Sequence, residues 1–320
     1  MPTVFHHGEL LIQTESGIDQ RIHKVGNKLV RDHIIDQHKI FFEKLSYIFI
    51  ALHDTDGKPW ISIMQGKPGF IDSPEPKTLN MNGSVIAKEV LNLQVGEDMP
   101  VGIVGLDLST RRRNRLNGNF NKTQNTELLS IAVEHSFGNC PKYIQLRNFE
   151  ANEKNNQSSD STTESHQSFD EFDKHIINII EETDTLFIAS SEKQGGDLDA
   201  SHRGGLPGFI HTDGKKQLWF NDYPGNNFFQ TFGNIHSHPY IGLTFIDFNS
   251  GDMLFMSGQS HLEQIKVADH NTKDKPNFLP RRCYFTLDKG LKIKNAIKGQ
   301  WSAVEMSPFL NKEIIKTLEK

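Results

Sequence analysis

The chain of 320 residues is long enough for one large domain or two of ordinary size, and its composition of 36% hydrophobic and 23% charged residues is typical of a globular protein. The formal net charge of -5 argues against a general nucleic-acid binder, although it leaves room for a local basic pocket. No apolar run approaches the roughly 18 residues that a membrane helix needs, and the start of the chain lacks the pattern of a secretory signal. We therefore expect a cytoplasmic protein without a membrane or nucleic-acid partner.

The first half of the chain begins with helical periodicity and continues with strands. The segment "IIDQHKIFFEKLS" predicts a helix, and "YIFIALHD" and "PWISIMQG" predict two strands joined by the turn "TDGK". The strands "VGIVGLDL" and "LLSIAVEHSF" follow. Because helices do not alternate with these strands, the pattern favours an antiparallel barrel over a parallel α/β sheet.

A polar segment without periodicity separates the first half from the second. Residues Asn152 to Ser168 are rich in Ser, Thr, Asn and Gln, a composition that cannot bury enough apolar surface to order itself. We expect a flexible linker over 152–168 between an amino-terminal unit, 1–151, and a carboxy-terminal unit, 169–320.

The second half repeats the pattern of the first. A helix is predicted over "FDEFDKHIINIIEET", followed by the strands "TLFIASSE", "IGLTFIDF", "HLEQIKVA" and "RCYFTL". Three segments recur about 140 residues later: "FIAL" as "FIAS", "PGFI" unchanged, and "VGIVGLDLST" as "IGLTFIDFNS". The predicted fold is mainly β with peripheral helices, built from two tandem barrels that pack as an intramolecular pseudo-dimer.

An arginine cluster follows a predicted strand in the first half only. In "DLSTRRRNRLNG", alternation along a strand places Arg111, Arg113 and Arg115 on one face and Arg112 on the other. Guanidinium groups on a shared face repel one another unless an anion lies between them, and they match phosphate oxygens with paired hydrogen bonds. An exposed basic strand edge is the alternative, but the second copy, "NSGDMLFMSG", has no arginine there.

The second half carries the opposite asymmetry. Its loop "SHRGG" presents Ser201, His202 and Arg203, whereas the first copy has Ser62, Ile63 and Met64. Bare backbone at Gly204 and Gly205 leaves space for a ligand. A nearby stretch, "NDYPGNNFFQTFGNIHSHP", adds a cluster of donors and acceptors that favours ligand binding over a simple turn. The candidate residues in that cluster are Tyr223, Asn226, Asn227, Gln230, Thr231 and Asn234.

Further charge is expected from "HSFGNCPKYIQLR", which has no counterpart in the second half. Lys142 and Gln145 of this stretch are predicted to face the same region. Cys140 is either a reactive thiol or, as free cysteines more often are, a small buried hydrophobe. His236 and His238 are two residues apart, but no third ligand lies nearby, so we expect no metal site.

Five stretches in order resemble the pyridoxamine 5′-phosphate oxidase-related flavoproteins, the FMN-binding split-barrel family with tandem-barrel members. They are "DLSTRRRNRLNG", "HSFGNCPKYIQLR", "FIASSEKQGGDLDASHRGGLPGF", "DYPGNNFFQTFGN" and "GLTFIDF". The resemblance implies paired split barrels with FMN in the cleft between them and Arg203 on the phosphate. Gln230 and Thr231 stand where the oxidase has an Arg-Lys pair, so arginines of the other half, Arg112, Arg113 and Arg115, are expected to supply the missing charge.

The leading hypothesis is an FMN-dependent oxidoreductase that acts on an unidentified small molecule, with a nicotinamide or an electron-transfer donor. The flavin would carry the electron chemistry, and the protein would bind and orient it, so no catalytic acid or base is assigned. Two alternatives stay open: a non-enzymatic flavin- or haem-type binding or sensor protein, and a structural dimer with a decayed site. A homodimer is left open as well. The asymmetry between the halves predicts one site per chain.

Overall fold

The computed structural model describes residues 3–18, 20–123, 127–151, 166–265 and 279–311, together with residues 315 and 318. Three helices and eight strands make up the described part of the first half: α1 (His7–Glu15), α2 (Gln20–Leu29), α3 (Asp36–Glu43), β1 (Tyr47–His53), β2 (Pro59–Gln65), β3 (Ile71–Asp72), β4 (Thr78–Asn82), β5 (Pro100–Asp107), β6 (Arg112–Phe120), β7 (Leu128–Asn139) and β8 (Phe149–Ala151). The helix predicted before the first strand corresponds to α3.

The described part of the second half consists of β9 (His166–Phe169), α4 (Lys174–Glu182), β10 (Thr185–Ser191), β11 (Leu198–Gly204), β12 (Ile210–Thr212), β13 (Gln217–Asn221), α5 (Gln230–Ser237), β14 (Tyr240–Ile246), β15 (Met253–Gln264), β16 (Arg281–Ile293) and β17 (Gly299–Trp301), with a 3₁₀ turn at Pro308–Asn311. The predicted helix begins later than expected because the Asp173 side chain accepts a hydrogen bond from the Ile176 amide and caps α4 there.

The two halves have the same sheet topology. Strand order is β2-β1-β5-β6-β7-β4-β3 in the first sheet and β11-β10-β14-β15-β16-β13-β12 in the second, and the strands pair antiparallel throughout. Even the irregularity is repeated, since a register shift occurs before Gly118 in β6 and before Gly258 in β15. This repetition confirms the predicted fold class, a mainly β chain of two tandem split barrels.

The halves pack against each other through equivalent surfaces. The rings of Phe49 and Phe187, which occupy matching positions in β1 and β10, stack with their centroids 3.4 Å apart. Gly102 of β5 lies against β11, where an added Cβ would come within 2.6 Å of the Leu198 carbonyl oxygen. Gly242 of β14 lies against β2 in the same way, 2.6 Å from the Trp60 Cα. The strands therefore approach at backbone distance, and the halves form an intramolecular pseudo-dimer.

A helix of the first half and a strand of the second each contact the opposite half. Helix α1 packs on α5 of the second half, where Gly8 and Gly233 allow the two backbones to approach. Strand β17 pairs with β8, which follows the first sheet.

The described carboxyl end of the predicted linker is structured. Residues 166–168 belong to β9, which pairs antiparallel with β16, so the second sheet begins before the expected boundary. The rest of the predicted linker, 152–165, lies outside the described residues. Within the described ranges, no helix has both the length and the apolar character needed to cross a bilayer.

We predict that Gly242→Ala destabilises the protein by about 1–3 kcal/mol, because the methyl group would collide with the backbone of Trp60 and separate the halves. Gly96→Ala is the matched control, since its methyl group would meet Met99 Sδ at an ordinary 3.5 Å. Denaturant unfolding should show Gly96→Ala within about 0.5 kcal/mol of the parent. Equal stability of the two variants would contradict a close backbone contact at Gly242.

A second prediction concerns Glu9, which α1 buries beside α5. Burial, and secondarily the Asp199 carboxylate, raise the pKa of Glu9 to about 9. The folded protein therefore holds a proton that the unfolded chain releases near pH 4.5, and stability falls as pH rises from about 4.5 towards 9. Glu9→Gln cannot ionise, so its melting temperature should fall less than that of the parent between pH 5 and pH 9.

The control for this measurement is Glu43→Gln, which alters a partly exposed carboxylate on α3. It should leave the pH profile of the melting temperature parallel to that of the parent. If Glu9→Gln also gives a parallel profile, Glu9 is ionised in the folded protein.

Candidate functional site

A cavity of about 100 Å³ lies where β6 of the first half meets β11 and α5 of the second. Most of the candidate residues from both halves line it. They are Arg113, Arg115 and Lys142 from the first half, with Ser201, His202, Arg203, Gly204, Tyr223, Asn226, Asn227, Gln230 and Thr231 from the second. The structure thus brings together the basic strand and the polar loop that the sequence singled out.

Arg113 and Arg115 share the face of β6 that points towards the second half, as alternation predicts. Arg113 donates to His202 Nδ1 at 3.1 Å and to the Cys140 carbonyl oxygen at 2.9 Å. Arg115 donates to Asp199 Oδ1 at 2.6 Å and to Gln230 Oε1 at 2.7 Å. Both guanidinium groups therefore join the halves as well as line the cavity.

Arg203 reaches the cavity from β11. Its guanidinium carbon lies 5.3 Å from the centre of the Phe232 ring, and its Nε is buried without a hydrogen-bond partner. Burial raises the pKa of Asp222, another lining residue, to about 6, although Arg203 opposes that shift. Burial thus disfavours the charged form of Asp222, although that form would interact favourably with Arg203.

Positive charge accumulates in this cavity. Burial, followed by repulsion from Arg203 and Arg115, lowers the pKa of Arg113 to about 9. The Nε atoms of all three arginines are buried and without a partner. Guanidinium groups that repel each other and keep unpartnered Nε–H groups are satisfied by an anion with several oxygens. The residues present therefore fit a phosphate or a similar oxyanion.

Helix α5 shapes one wall and was missed in the sequence, because Gly233 and the polar residues around it mask its periodicity. Thr231, in its first turn, donates to Ser201 Oγ at 2.9 Å. Asn234 does not line the cavity; it donates to Asp199 Oδ2 at 2.8 Å and thereby orients the carboxylate that holds Arg115. Asn234 is therefore a positioning residue.

Asp199 is the main site residue that the sequence reasoning missed. It accepts hydrogen bonds from Arg115, Asn117 and Asn234. Strand alternation could have identified Asp199 as a site residue, since Asp199, Ser201 and Arg203 share one face of β11.

Two of the candidate arginines lie elsewhere. Arg111 precedes β6 in a left-handed conformation, with φ of 55°, so strand alternation does not apply to it. Its guanidinium donates to the Ile144 carbonyl oxygen at 3.1 Å and to Glu305 Oε1 at 2.8 Å. Arg112 is on the opposite face of β6, with its guanidinium carbon 5.3 Å from the centre of the Phe41 ring. Neither residue lines the cavity.

Gln145 and the paired glycines also differ from expectation. Gln145 is fully buried; it donates to the Gly205 carbonyl oxygen at 3.1 Å and accepts from the Ser307 amide at 2.7 Å. The Gly205 amide donates to the Asp184 carbonyl oxygen at 3.1 Å, and the Phe209 ring fills the space beside it. The Tyr143 carbonyl oxygen occupies the space beside Gly204. Gly204 thus admits the chain of the first half, and Gly205 admits a ring of its own half, which the sequence alone could not show.

The equivalent place in the other half of the pseudo-dimer is filled with apolar side chains. Met253 and Phe255 of β15 stand where β6 has Arg113 and Arg115, and they are fully buried. Ile63 and Met64 of β2, also fully buried, match His202 and Arg203. The connection after β4 lies on β2, since the Ile86 amide donates to the Ile63 carbonyl oxygen at 3.0 Å. The polar cavity is thus formed between β6 and β11, and not at the equivalent place between β15 and β2.

No protein-family model and no curated protein matches the sequence. Among solved structures, HupZ from Group A Streptococcus is 12% identical, with a TM-score of 0.27, over 37% of this chain and 90% of its own. A Clostridium acetobutylicum protein related to general stress protein 26, of the pyridoxinephosphate oxidase family, is 13% identical, with a TM-score of 0.28, over 40% of this chain and 89% of its own. An FAD-binding protein from Mesorhizobium loti is 9% identical, with a TM-score of 0.27, over 40% and 97%.

The strand order and the repeated register within the chain itself define the fold. The solved structures to which the chain is similar, at low identity, include pyridoxamine 5′-phosphate oxidase-family proteins and flavin-binding proteins, the group that its sequence resembles.

Proposed function

We propose that the cavity binds FMN, one molecule per chain, and that the protein is a flavoprotein. The observation that carries this proposal is the convergence of three arginines, each with a buried and unpartnered Nε, on one cavity between the halves. A phosphate group supplies several anionic oxygens, which guanidinium groups bind with short, charge-assisted hydrogen bonds.

The size of the cavity supports placing the phosphate, and not the whole cofactor, inside it. Its volume of about 100 Å³ is below the roughly 300–1,000 Å³ of a complete small-molecule site. The first turn of α5 also contributes to this wall, and a helix amino terminus favours negative charge. We assign the ring system to the open side, where Tyr223, Asn226 and Asn227 offer an aromatic face and side-chain amides.

Bound flavin would supply electron transfer, and the chain would bind it, orient it and exclude water from the phosphate end. Arg113 and Arg203 would neutralise the phosphate, while Asp199 and Gln230 keep Arg115 in place. We assign the protein as an oxidoreductase that acts on a small molecule. The competing candidate is a flavin- or haem-type binding or sensor protein without turnover, because no lining residue is assigned as a catalytic acid or base.

We predict that Arg113→Met and Arg203→Met each weaken FMN binding by roughly ten- to a hundredfold, since each removes a charge-assisted hydrogen bond. Each variant installs the residue that the other half carries at the matching position, Met253 or Met64. Titration followed by flavin fluorescence quenching measures the affinity and should saturate at one FMN per chain.

Arg112→Met is the matched control, because Arg112 belongs to the same strand but faces away from the cavity. It should leave FMN affinity unchanged, and thermal melts without flavin should show that all three variants fold. Unchanged affinity in both cavity variants, or saturation at two FMN per chain, would overturn the proposed site.

Oxidoreductase activity and simple binding make different predictions once FMN is bound. We expect a reduced nicotinamide to bleach the flavin absorbance under anaerobic conditions, because turnover requires an electron donor. FMN that stays oxidised with nicotinamides and with other reductants of similar potential would favour the binding or sensor protein. Absorbance near the flavin bands follows the reaction directly.

A further inference from the structure

His202 is a buried imidazole that lines the cavity. Its side chain lies on β11 with 3% of the residue exposed, and its ring meets the Phe187 ring edge-on at a centroid distance of 5.6 Å. The matching position in β2 holds Ile63, which is fully buried. The barrel therefore accepts an apolar side chain at this position, and the fold alone does not require an imidazole.

The hydrogen bond with Arg113 fixes which ring nitrogen of His202 carries the proton. Arg113 Nη1 lies 3.1 Å from His202 Nδ1, and a guanidinium nitrogen can only donate. Nδ1 must therefore accept, which leaves the proton of the neutral ring on Nε2. Burial, together with the charges of Arg113 and Arg203, holds the pKa of His202 well below its usual range, so the ring remains neutral.

The Nε2–H group has no acceptor within the described part of the protein. It is buried, and a buried donor without a partner is costly. The neighbouring arginines provide only further donors. Asn139 Oδ1, a buried acceptor on the cavity lining, is itself without a partner and does not bond to Nε2. A ligand oxygen would satisfy the imidazole and the arginines together.

We infer that His202 donates its Nε2–H to a phosphate oxygen of the ligand, beside Arg113 and Arg203, and that Arg113 holds His202 in the required tautomer. The inference rests on the proposed function only in taking FMN as the carrier of that phosphate. A neutral donor adds a directed hydrogen bond to the charge supplied by the arginines without adding further repulsion among them. We take the oxygen that accepts from Nε2–H to be a phosphate oxygen, because the other unpartnered donors around His202 belong to guanidinium groups, which bind phosphate.

The experiment records long-range ¹H–¹⁵N spectra of the full chain with ¹⁵N-labelled histidine, using inorganic phosphate, FMN and riboflavin as probes. The free protein should show His202 with Nε2 protonated and Nδ1 unprotonated, and His202→Gln identifies the resonances by their loss. Phosphate and FMN should shift the Nε2 resonance, and riboflavin, which lacks the phosphate, should not. No shift with phosphate or FMN, or a shift with riboflavin, would overturn the inference.

Affinity measurements provide a second readout. His202→Ile, which copies the other half, should weaken binding of phosphate and FMN about tenfold, as expected for a lost hydrogen bond in a buried site. His202→Gln keeps an N–H donor and should lose less. His33→Gln, a change at an exposed histidine on the first half, should have no effect.

The failures of the two proposals are distinguishable. If phosphate binds and shifts Nε2 but FMN does not bind, the inference stands and the proposed cofactor is wrong. If FMN binds to the arginine cavity while Nε2 stays unchanged and His202→Ile keeps full affinity, the cofactor stands and the inference is wrong. Melts without ligand identify variants that fail to fold.

Discussion

The close backbone approach of strands from the two halves is the constraint on which the rest of the structure depends. Gly102 against β11 and Gly242 against β2 bring the sheets together at distances that no side chain would permit. Because β6 pairs with β5 and β11 pairs with β10, this approach carries the arginines of one half to the polar strand of the other. The cavity is therefore a product of the contact between the halves, and neither half contains it alone.

The two halves have the same strand arrangement, but the two equivalent places between them hold side chains of opposite polarity. One of the two equivalent places is filled by residues such as Phe255 and Met64, whose burial contributes directly to stability. The other buries charged groups, whose removal from water is costly unless they are paired. Asp199 offsets that cost for Arg115, while Arg203 Nε and His202 Nε2 lack partners. A duplicated fold can hold such a site because the apolar half supplies core packing that the polar half lacks.

Sequence patterns predicted the features that depend on local periodicity or on repetition. The repeats indicated the tandem fold, and strand alternation placed Arg113 and Arg115 together with Arg112 apart from them. The differences from expectation concern residues whose environment comes from distant segments. Gln145 and Gly204 meet backbone from the opposite half, which no local pattern reveals. Arg111 does not share the face of Arg113 and Arg115, because its own left-handed conformation interrupts the strand alternation. Helix α5 was not predicted because Gly233 obscures its helical periodicity, although Gly233 is also the residue that allows α1 to pack on α5.

The docking of α1 on α5 has a consequence for how the chain folds. Helix α1 leaves the ribosome well before α5, which is made about 220 residues later, so this contact has a very large sequence separation. Until α5 emerges, the face of α1 that carries Ile12 has no partner, and the burial of Glu9 cannot begin. The first half is therefore synthesised before the surface on which α1 packs, and it exposes apolar side chains until the second half has been made. The cavity is completed only when most of the chain has been translated.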